Sequence, residues 1–190
     1  MDLADRRGLE TDVYQPAEDS RLLAEAAVDR LDDDALVLEV GTGSGYVAER
    51  IAAGTDARVI ASDLNPHACE QARERGLEAV RADLVSPFAD GAFDAVAFNP
   101  PYLPTDPDAE WDDWMERALS GGADGRAVID PFLDAVGRVL APDGVVFLLV
   151  SSLTGVDDVV ERAGEAGFGA VAVADESFPF ETLTVLELVR

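Results

Sequence analysis

The chain has 190 residues, 48% of them hydrophobic, and its 39 acidic and 14 basic residues give a net charge of −25. This length suffices for one domain with a buried core. The longest apolar run, Val145–Val150, is far too short to cross a bilayer, and charges in the first fifteen positions argue against a signal peptide. The single cysteine, Cys69, excludes an intrachain disulfide. We expect a cytoplasmic protein whose single domain spans residues 1–190.

Apolar runs and helical stretches alternate along the chain, with short glycine-containing loops between them. An amphipathic helix is predicted over Glu18–Leu31, from apolar residues at positions 22, 23, 26, 27 and 31. The predicted strands are 35–40, 58–62, 77–82, 94–98, 144–150, 170–174 and 183–189, and helices are predicted near 46–53, 66–76, 126–140 and 156–166. This alternation predicts a doubly wound, mainly parallel α/β sheet. Residues 1–31 form an N-terminal segment and helix, and residues 35–190 form the sheet.

A glycine-rich turn, Glu39-Val-Gly41-Thr-Gly43-Ser-Gly45, ends the first predicted strand. Glycine permits a tight turn and a close approach of a ligand to the backbone. Ligands of open α/β sheets bind at the carboxyl ends of the strands. The G-x-G-x-G spacing differs from the dinucleotide fingerprint, G-x-G-x-x-G. It favours a nucleoside cofactor without a diphosphate; the alternative is a turn that merely requires glycine.

Acidic residues follow the next two predicted strands. Asp63 ends the second strand, where a carboxylate can accept hydrogen bonds from both ribose hydroxyls. It could also cap the helix that begins at Pro66. Asp83 ends the third strand, where its carboxylate and the Leu84 backbone could meet adenine, or where it could be a solvated loop acid. These residues favour an adenosine-containing ligand.

The fourth predicted strand ends in Asn99-Pro100-Pro101-Tyr102. Sheet formation does not explain this motif, because proline removes ladder donors. The two prolines hold the carbonyls of Asn99 and Pro100 rigidly, so that these and the Asn99 side-chain oxygen can grip the N–H groups of a planar amide or amine. Tyr102 supplies a flat face against the substrate. The motif predicts methylation of a nitrogen aimed at a sulfonium methyl group, with Asn99, Pro100 and Tyr102 as catalytic residues.

Together these motifs resemble class I methyltransferases of the Asn-Pro-Pro-Tyr kind. More narrowly, the chain resembles the HemK-like protein-glutamine methyltransferases of the archaeal and eukaryotic branch, through Tyr14–Ser20, Gly121–Asp130 and Glu181–Leu186. The resemblance implies a seven-stranded Rossmann-like fold, S-adenosyl-L-methionine as cofactor, and the glutamine of a Gly-Gly-Gln loop in a class 1 translation release factor as target. The implied cofactor contacts are Ser20, Glu39, Gly41, Gly43, Asp63, Asp83, Leu84 and Asn99. The implied substrate contacts are Asn99, Pro100, Pro101 and Tyr102.

The same resemblance implies a partner. Relatives in this branch work with a small zinc-binding activator that adds strands to the sheet, and we expect it to pair with the edge strand near Leu77–Ala82. The sequence departs from the family at Gln15, where an acid is expected, and at Ser151–Leu153, which lacks a lysine-bearing segment. Neither departure touches the predicted chemistry.

Other reactive residue types have plainer interpretations. His67, the only histidine, is interpreted as a solvated residue at a helix start, and Cys69 as a small buried one. We therefore predict no metal site. The acids Asp112, Asp113 and Asp124 are interpreted as solvated, with Asp124 also able to cap the following helix. Trp111 and Trp114 lie in the loop after the catalytic motif, as a lid or as satellite core.

The charge pattern bears on the host and on the alternatives. Every basic residue is arginine, and the acids are spread along the chain, which favours a halophilic archaeon whose salt screens the repulsion. An adenine-N6 methyltransferase of RNA or DNA is the main alternative, but the basic clusters that neutralise phosphates are missing. Protein-lysine methylation and an inert nucleoside-binding scaffold also stay open. We expect neither direct nucleic-acid binding nor a membrane.

Overall fold

Seven strands, six α-helices and one 3₁₀ turn (Ser152–Thr154) are present in residues 13–32, 34–105 and 114–190, the part of the chain that the computed structural model describes. The helices are α1 (Glu18–Val28), α2 (Tyr46–Gly54), α3 (Pro66–Glu74), α4 (Trp114–Leu119), α5 (Ile129–Val139) and α6 (Val156–Glu165). The strands are β1 (Leu36–Val40), β2 (Arg58–Asp63), β3 (Glu78–Arg81), β4 (Phe93–Phe98), β5 (Leu140–Ser151), β6 (Gly169–Ser177) and β7 (Thr182–Val189).

The strands form one sheet in the order β3-β2-β1-β4-β5-β7-β6. β1 to β5 run parallel to one another, whereas β7 is antiparallel to both β5 and β6. The predicted doubly wound, mainly parallel sheet is therefore confirmed, and β3 lies at an edge as expected.

Helices cover both faces of the sheet. One apolar cluster joins the sheet to α1, α2 and α3, and a second joins it to α5 and α6. Successive residues of β5 point to opposite clusters, as Phe147 and Leu149 do on one side and Leu148 and Val150 do on the other. This is why the strand is a continuous apolar run: both of its faces are buried.

The structure differs from the sequence predictions at two helix starts. Asn65, not Asp63, caps α3, because its side-chain oxygen accepts a hydrogen bond from the amide of His67. Asp124 does not cap α5, which begins at Ile129 rather than near Arg126; Asp124 instead pairs with the Arg126 guanidinium. In both cases the carboxylate accepts hydrogen bonds from residues that precede the helix or lie outside it, so it does not cap the helix.

The segment after the Asn-Pro-Pro-Tyr motif also differs from its prediction as a loop. Trp114 opens the short helix α4, which the sequence analysis missed, whereas Trp111, Asp112 and Asp113 lie outside the described residues. His67 is exposed and Cys69 is buried, as predicted. Within the described ranges, every helix is too short or too polar to cross a membrane.

Surface arginines pair with part of the acid excess. The pairs include Arg21–Glu176, Arg30–Glu187, Arg58–Glu78, Arg75–Glu49, Arg138–Asp90 and Arg162–Asp134. Most of these side chains are substantially exposed, and such pairs each contribute little to stability. Since acids outnumber bases by 39 to 14, most carboxylates repel one another across the surface.

We expect the melting temperature at neutral pH to rise by on the order of 10 °C between about 0.1 and 2 M KCl, because salt screens this repulsion. Calorimetry at a series of salt concentrations measures it. The same titration near pH 4.1, the sequence pI, should show a much weaker dependence because the net charge is then close to zero. A melting temperature independent of salt at neutral pH would contradict the argument.

Candidate active site

A cleft of about 340 Å³ opens where β1, β2 and β4 end. Their parallel register pairs Val40 with both Ser62 and Phe98, so the loops that follow the three strands begin side by side. The cleft is within the size range of small-molecule sites. The predicted site residues all line it: Ser20, Glu39, Gly41, Gly43, Asp63, Asp83, Leu84, Asn99, Pro100, Pro101 and Tyr102. The structure thus brings them together, while their individual roles stay predictions.

The glycine turn after β1 has a left-handed backbone at three positions. The φ angles of Gly41, Gly43 and Gly45 are 66°, 52° and 85°, a region that side chains disfavour. A Cβ atom on Gly41 would lie 3.3 Å from the Phe98 ring, and one on Gly43 would lie 3.3 Å from the Tyr14 carbonyl oxygen. The turn therefore lies directly against the neighbouring segments, and its residues 41–44 line the cleft.

Asp63 is fixed at the end of β2 by two backbone donors. One carboxylate oxygen accepts from the amide of Gly43 at 2.9 Å, and the other from the amide of Asn65 at 2.8 Å. Burial raises the pKa of Asp63, and these hydrogen bonds oppose the rise. A carboxylate oxygen can accept more than one hydrogen bond, so each has capacity left for a ribose hydroxyl.

Glu39 is buried beneath the glycine turn. Its Oε2 atom accepts from Thr42 Oγ1 at 2.5 Å and from the amide of Ala48 at 3.0 Å. Burial raises the pKa of Glu39 to about 8, although both hydrogen bonds lower it. Its carboxyl group is therefore mainly protonated at neutral pH, and it connects the turn to the first turn of α2.

Leu84 lies at the adenine side predicted for the cleft. Its φ of 48° makes it the one non-glycine residue with a positive φ among the described residues. Such a conformation costs energy and is concentrated at ligand sites. Asp83, immediately before it, is exposed. The strained step turns the chain along the rim of the cleft.

The Oδ1 atom of Asn99 is buried and has no hydrogen-bond partner within the described structure. Leaving a buried acceptor unsatisfied costs about 1–3 kcal/mol. Buried polar atoms are nearly always paired, and an exception calls for an explanation. A bound N–H donor supplies one, because this atom belongs to a residue that lines the cleft.

Asp19 and Tyr14 are site residues that the sequence analysis did not select. Asp19 is 2% exposed, and its Oδ2 atom accepts from the hydroxyls of Tyr14 at 2.7 Å and Tyr102 at 3.4 Å. Its Oδ1 atom accepts from the amide of Ser20 at 2.6 Å. An acid in the first turn of a helix is ordinarily explained by the helix dipole, so no separate sequence signal marks Asp19 as a site residue.

Helix α4 adds two further residues that the sequence analysis did not assign to the site. Trp114 and Arg117 both line the cleft, and the Arg117 guanidinium lies 5.5 Å from the centroid of the Trp114 ring. Trp114 therefore lies at the cleft, which favours the lid over the satellite core. The two tryptophans after the Asn-Pro-Pro-Tyr motif were a sequence signal for this part of the site, but nothing in the sequence indicated the helix α4 that places Trp114.

A glycine-rich segment supports the motif after β4. The amide of Leu103 donates to the Leu119 carbonyl at 3.0 Å, and the amide of Gly121 donates to the Leu103 carbonyl at 2.9 Å. A Cβ atom on Gly125 would lie 2.6 Å from the Tyr102 carbonyl oxygen and 2.5 Å from a Thr154 methyl group. The segment thus packs against Tyr102 so closely that only glycine fits at 125.

Known proteins are similar to this chain over nearly its whole length. Residues 37–121 match the methyltransferase domain family. A Methanocaldococcus jannaschii protein named for protein N5-glutamine methyltransferase activity is 36% identical over 188 residues, covering 96% of this chain and 94% of the relative. The chain belongs to the protein N5-glutamine methyltransferase family. The human methyltransferase HEMK2 is another member, 32% identical over 97% of this chain and 92% of its own length.

A solved member of this family supports the assignment of the fold. The E. cuniculi Mtq2–Trm112 complex, responsible for methylation of the eRF1 translation termination factor, matches with a TM-score of 0.79 and 32% identity over 95% of this chain and 99% of that one. The fold is the class I methyltransferase fold, and the cofactor is S-adenosylmethionine. The residues present fit it: the turn has glycine at 41, 43 and 45, and the fixed carboxylate of Asp63 lies beside it in the cleft.

We expect Gly125→Ala to lower turnover at least tenfold, because its Cβ atom would displace the Tyr102 carbonyl from its place in the cleft. Initial rates of methyl transfer measure the loss. Gly167→Ala is the matched control: its φ of 90° imposes similar strain, yet no atom lies within 4 Å of the added carbon. Equal effects of both substitutions on turnover would show that strain alone matters.

Proposed function

We propose that this methyltransferase transfers a methyl group from S-adenosylmethionine to the side-chain amide nitrogen of the glutamine in the Gly-Gly-Gln loop of a class 1 translation release factor. The unpartnered Asn99 oxygen carries the proposal, because it requires an N–H donor from the substrate. The rigid carbonyls of the adjacent Pro-Pro step supply the second acceptor that a primary amide needs. The activities named for the full-length relatives support the same reaction.

The bound cofactor supplies an electrophilic methyl group: the amide nitrogen gains the N–C bond, the S–C bond breaks to leave S-adenosylhomocysteine, and one amide proton passes to water. The contribution of the protein is orientation, since Asn99 fixes the amide plane. Asp19 holds the Tyr102 hydroxyl, which fixes the ring that forms one wall. Because the amide proton becomes acidic on methylation, no dedicated base is required.

Adenine-N6 methylation is less well supported. Asn99 would suit an exocyclic amine equally, but a nucleic-acid strand needs cations along its phosphates. Of the described arginines, only Arg117 lines the cleft. Lysine methylation would present an ammonium instead of a planar amide, and the acceptor pair would not orient it in the same way. Peptide mass spectrometry of treated release factor, with the modified residue identified, separates the three reactions.

We propose that a small zinc-binding activator pairs with β3. This strand ends the sheet, and Val80 on it is 39% exposed. Protection of the edge is partial: Arg73 donates to the Ala79 carbonyl at 2.8 Å, and Glu78 pairs with Arg58. An edge strand with remaining unpaired groups accepts a strand from another chain. The E. cuniculi relative, solved with Trm112, supports this arrangement.

We further propose that the chain works as one catalytic domain in the cytoplasm of a halophilic archaeon. Packing of α1 against β5, β6 and β7 supports the single domain, since the N-terminal helix shares the core of the sheet. The excess of acids and the use of arginine alone as base support the halophilic origin. Release factors act on cytoplasmic ribosomes, which supports the location.

Cofactor binding and substrate orientation should be separable. Asp63→Ala should weaken S-adenosylmethionine binding by about 2–3 kcal/mol, because it removes a charged acceptor. Asn99→Ala should lower methyl transfer to release factor about a hundredfold or more through lost orientation, with much less effect on cofactor affinity. Calorimetry and single-turnover assays measure the two quantities. Near-normal turnover of Asn99→Ala would refute the amide clamp, and unchanged affinity of Asp63→Ala the ribose contact.

Ala79→Pro should abolish binding of the activator, because proline removes a backbone donor at the open edge. The amide of Ala82 donates to the Asp63 carbonyl of β2, so alternation along β3 turns the backbone groups of Ala79 away from β2. Ala79→Ser, which keeps the donor and a small side chain, should retain binding and serves as the control. Co-purification with the activator and S-adenosylmethionine affinity are the two measurements. Loss of cofactor affinity along with activator binding would point to misfolding of β2 and β3 instead of a lost interface.

A further inference from the structure

The turn between β6 and β7 presents an aromatic side chain to solvent. Phe180 is 91% exposed, the highest value among the exposed large hydrophobic residues of the described chain. Leu153, in the short turn after β5, is 42% exposed. Exposed apolar side chains are common singly, but a nearly bare phenylalanine is typical of an interface anchor. We call Leu153, Pro179 and Phe180 the hairpin tip.

The hairpin tip lies on the same side of the sheet as the cleft, where the parallel strands have their carboxyl ends. Leu183 of β7 pairs with Ser151, the last residue of β5, and Thr182 pairs with Ser177. Because β7 runs antiparallel to β5, the turn that precedes it projects beyond the carboxyl end of β5. The carboxyl ends of β1, β2 and β4 bound the cleft on that side. A protein that reaches the cleft from solvent therefore approaches the hairpin tip.

Hydrogen bonds hold the turn in one conformation. The amide of Phe178 donates to the Glu181 carbonyl at 2.7 Å, which closes the turn around Pro179. Ser151 Oγ donates to the Glu181 carboxylate at 2.9 Å, and the amide of Thr182 donates to Ser152 Oγ at 3.0 Å. Phe180 is thus displayed on a turn of restricted flexibility, which lowers the entropy lost when it contacts a partner.

The same contacts continue to the substrate motif. Ser151 and Ser152, which hold the turn, lead directly to Thr154, whose side chain lies against Gly125. Arg126 donates to the Thr154 carbonyl at 2.7 Å. Gly125 in turn packs on the Tyr102 carbonyl. The hairpin tip and the Asn-Pro-Pro-Tyr motif are therefore connected by packed, hydrogen-bonded segments, and their spacing is fixed.

We propose that the hairpin tip docks the folded protein that carries the target glutamine, through an apolar patch beside its Gly-Gly-Gln loop. This inference rests on the proposed function, since a glutamine inserted from a loop brings the surrounding surface of its protein against this side of the sheet. Salt at molar concentration screens charges beyond a few ångströms, so apolar contact is well suited to recognition by so acidic a protein. The edge proposed for the activator is β3, at the opposite end of the sheet.

The test compares Phe180→Ser with Val171→Ser in the complex with activator. Val171 is 59% exposed on β6 but lies six residues, about 20 Å, from the end of that strand next to the tip, which makes it a matched control. Affinity for intact release factor is measured with the S-adenosylhomocysteine-loaded complex, and kinetics are measured on the factor and on a short Gly-Gly-Gln peptide. We expect Phe180→Ser to raise the Kd and KM for the factor about tenfold. Its kcat on the factor, its activity on the peptide and its cofactor affinity should stay within about twofold, and Val171→Ser should change none of these.

Equal losses on factor and peptide would overturn the inference, and so would unchanged affinity for the factor. A complex that exists as a dimer at assay concentration, and that Phe180→Ser dissociates, would assign the tip to a second copy instead. Failure of the unsubstituted complex to bind release factor would overturn the inference as well. Binding without methylation would overturn only the proposed chemistry, which keeps the two proposals distinguishable.

Discussion

The parallel register of β1 with β2 and β4 is the constraint on which the rest of the site depends. Since Val40 pairs with both Ser62 and Phe98, the strands β1, β2 and β4 end at the same level of the sheet. The bond from the Gly43 amide to Asp63 then joins the turn after β1 to the end of β2. A slip of one residue in the pairing of β1 with β2 would reverse which face each side chain occupies and would remove this bond.

The cleft contains groups whose placement costs stability. Asn99 has a buried oxygen without a donor, and the left-handed Leu84 carries backbone strain. Glu39 stays buried by keeping its proton, with a pKa of about 8. The two apolar clusters on either side of the sheet offset these costs. The site is thus less stable than an apolar one would be, but its polar groups are already oriented before a ligand binds.

Most of the fold and the centre of the site could be predicted from the sequence, because both depend on local patterns. Continuous apolar runs mark strands buried on both faces, and the glycine turn and the Pro-Pro step are unusual enough to interpret alone. The missed elements depend on distant contacts. Asp19 belongs to the site only because Tyr102, 83 residues later, reaches it. Asn65 directly precedes Pro66 and caps α3, whereas the Asp63 carboxylate accepts from the amides of Asn65 and of Gly43, which lies on another strand's turn. No periodicity encodes such partners.

The first helix is attached to the last hairpin. Arg21 of α1 pairs with Glu176 of β6, and Arg30 contacts both Glu187 and the Val173 carbonyl. The layer that receives α1 includes β6 and β7, which a ribosome synthesises last. During synthesis α1 must therefore wait for about 140 residues to emerge before its final packing surface exists, whereas β1 to β4 can pair earlier. Asp19 lies in that helix and accepts a hydrogen bond from the Tyr102 hydroxyl. The Tyr102 ring is therefore held in place by Asp19 only after α1 has packed. Shortened chains that lack the hairpin would retain much of the pairing of β1 to β4 and lose the complete packing of α1.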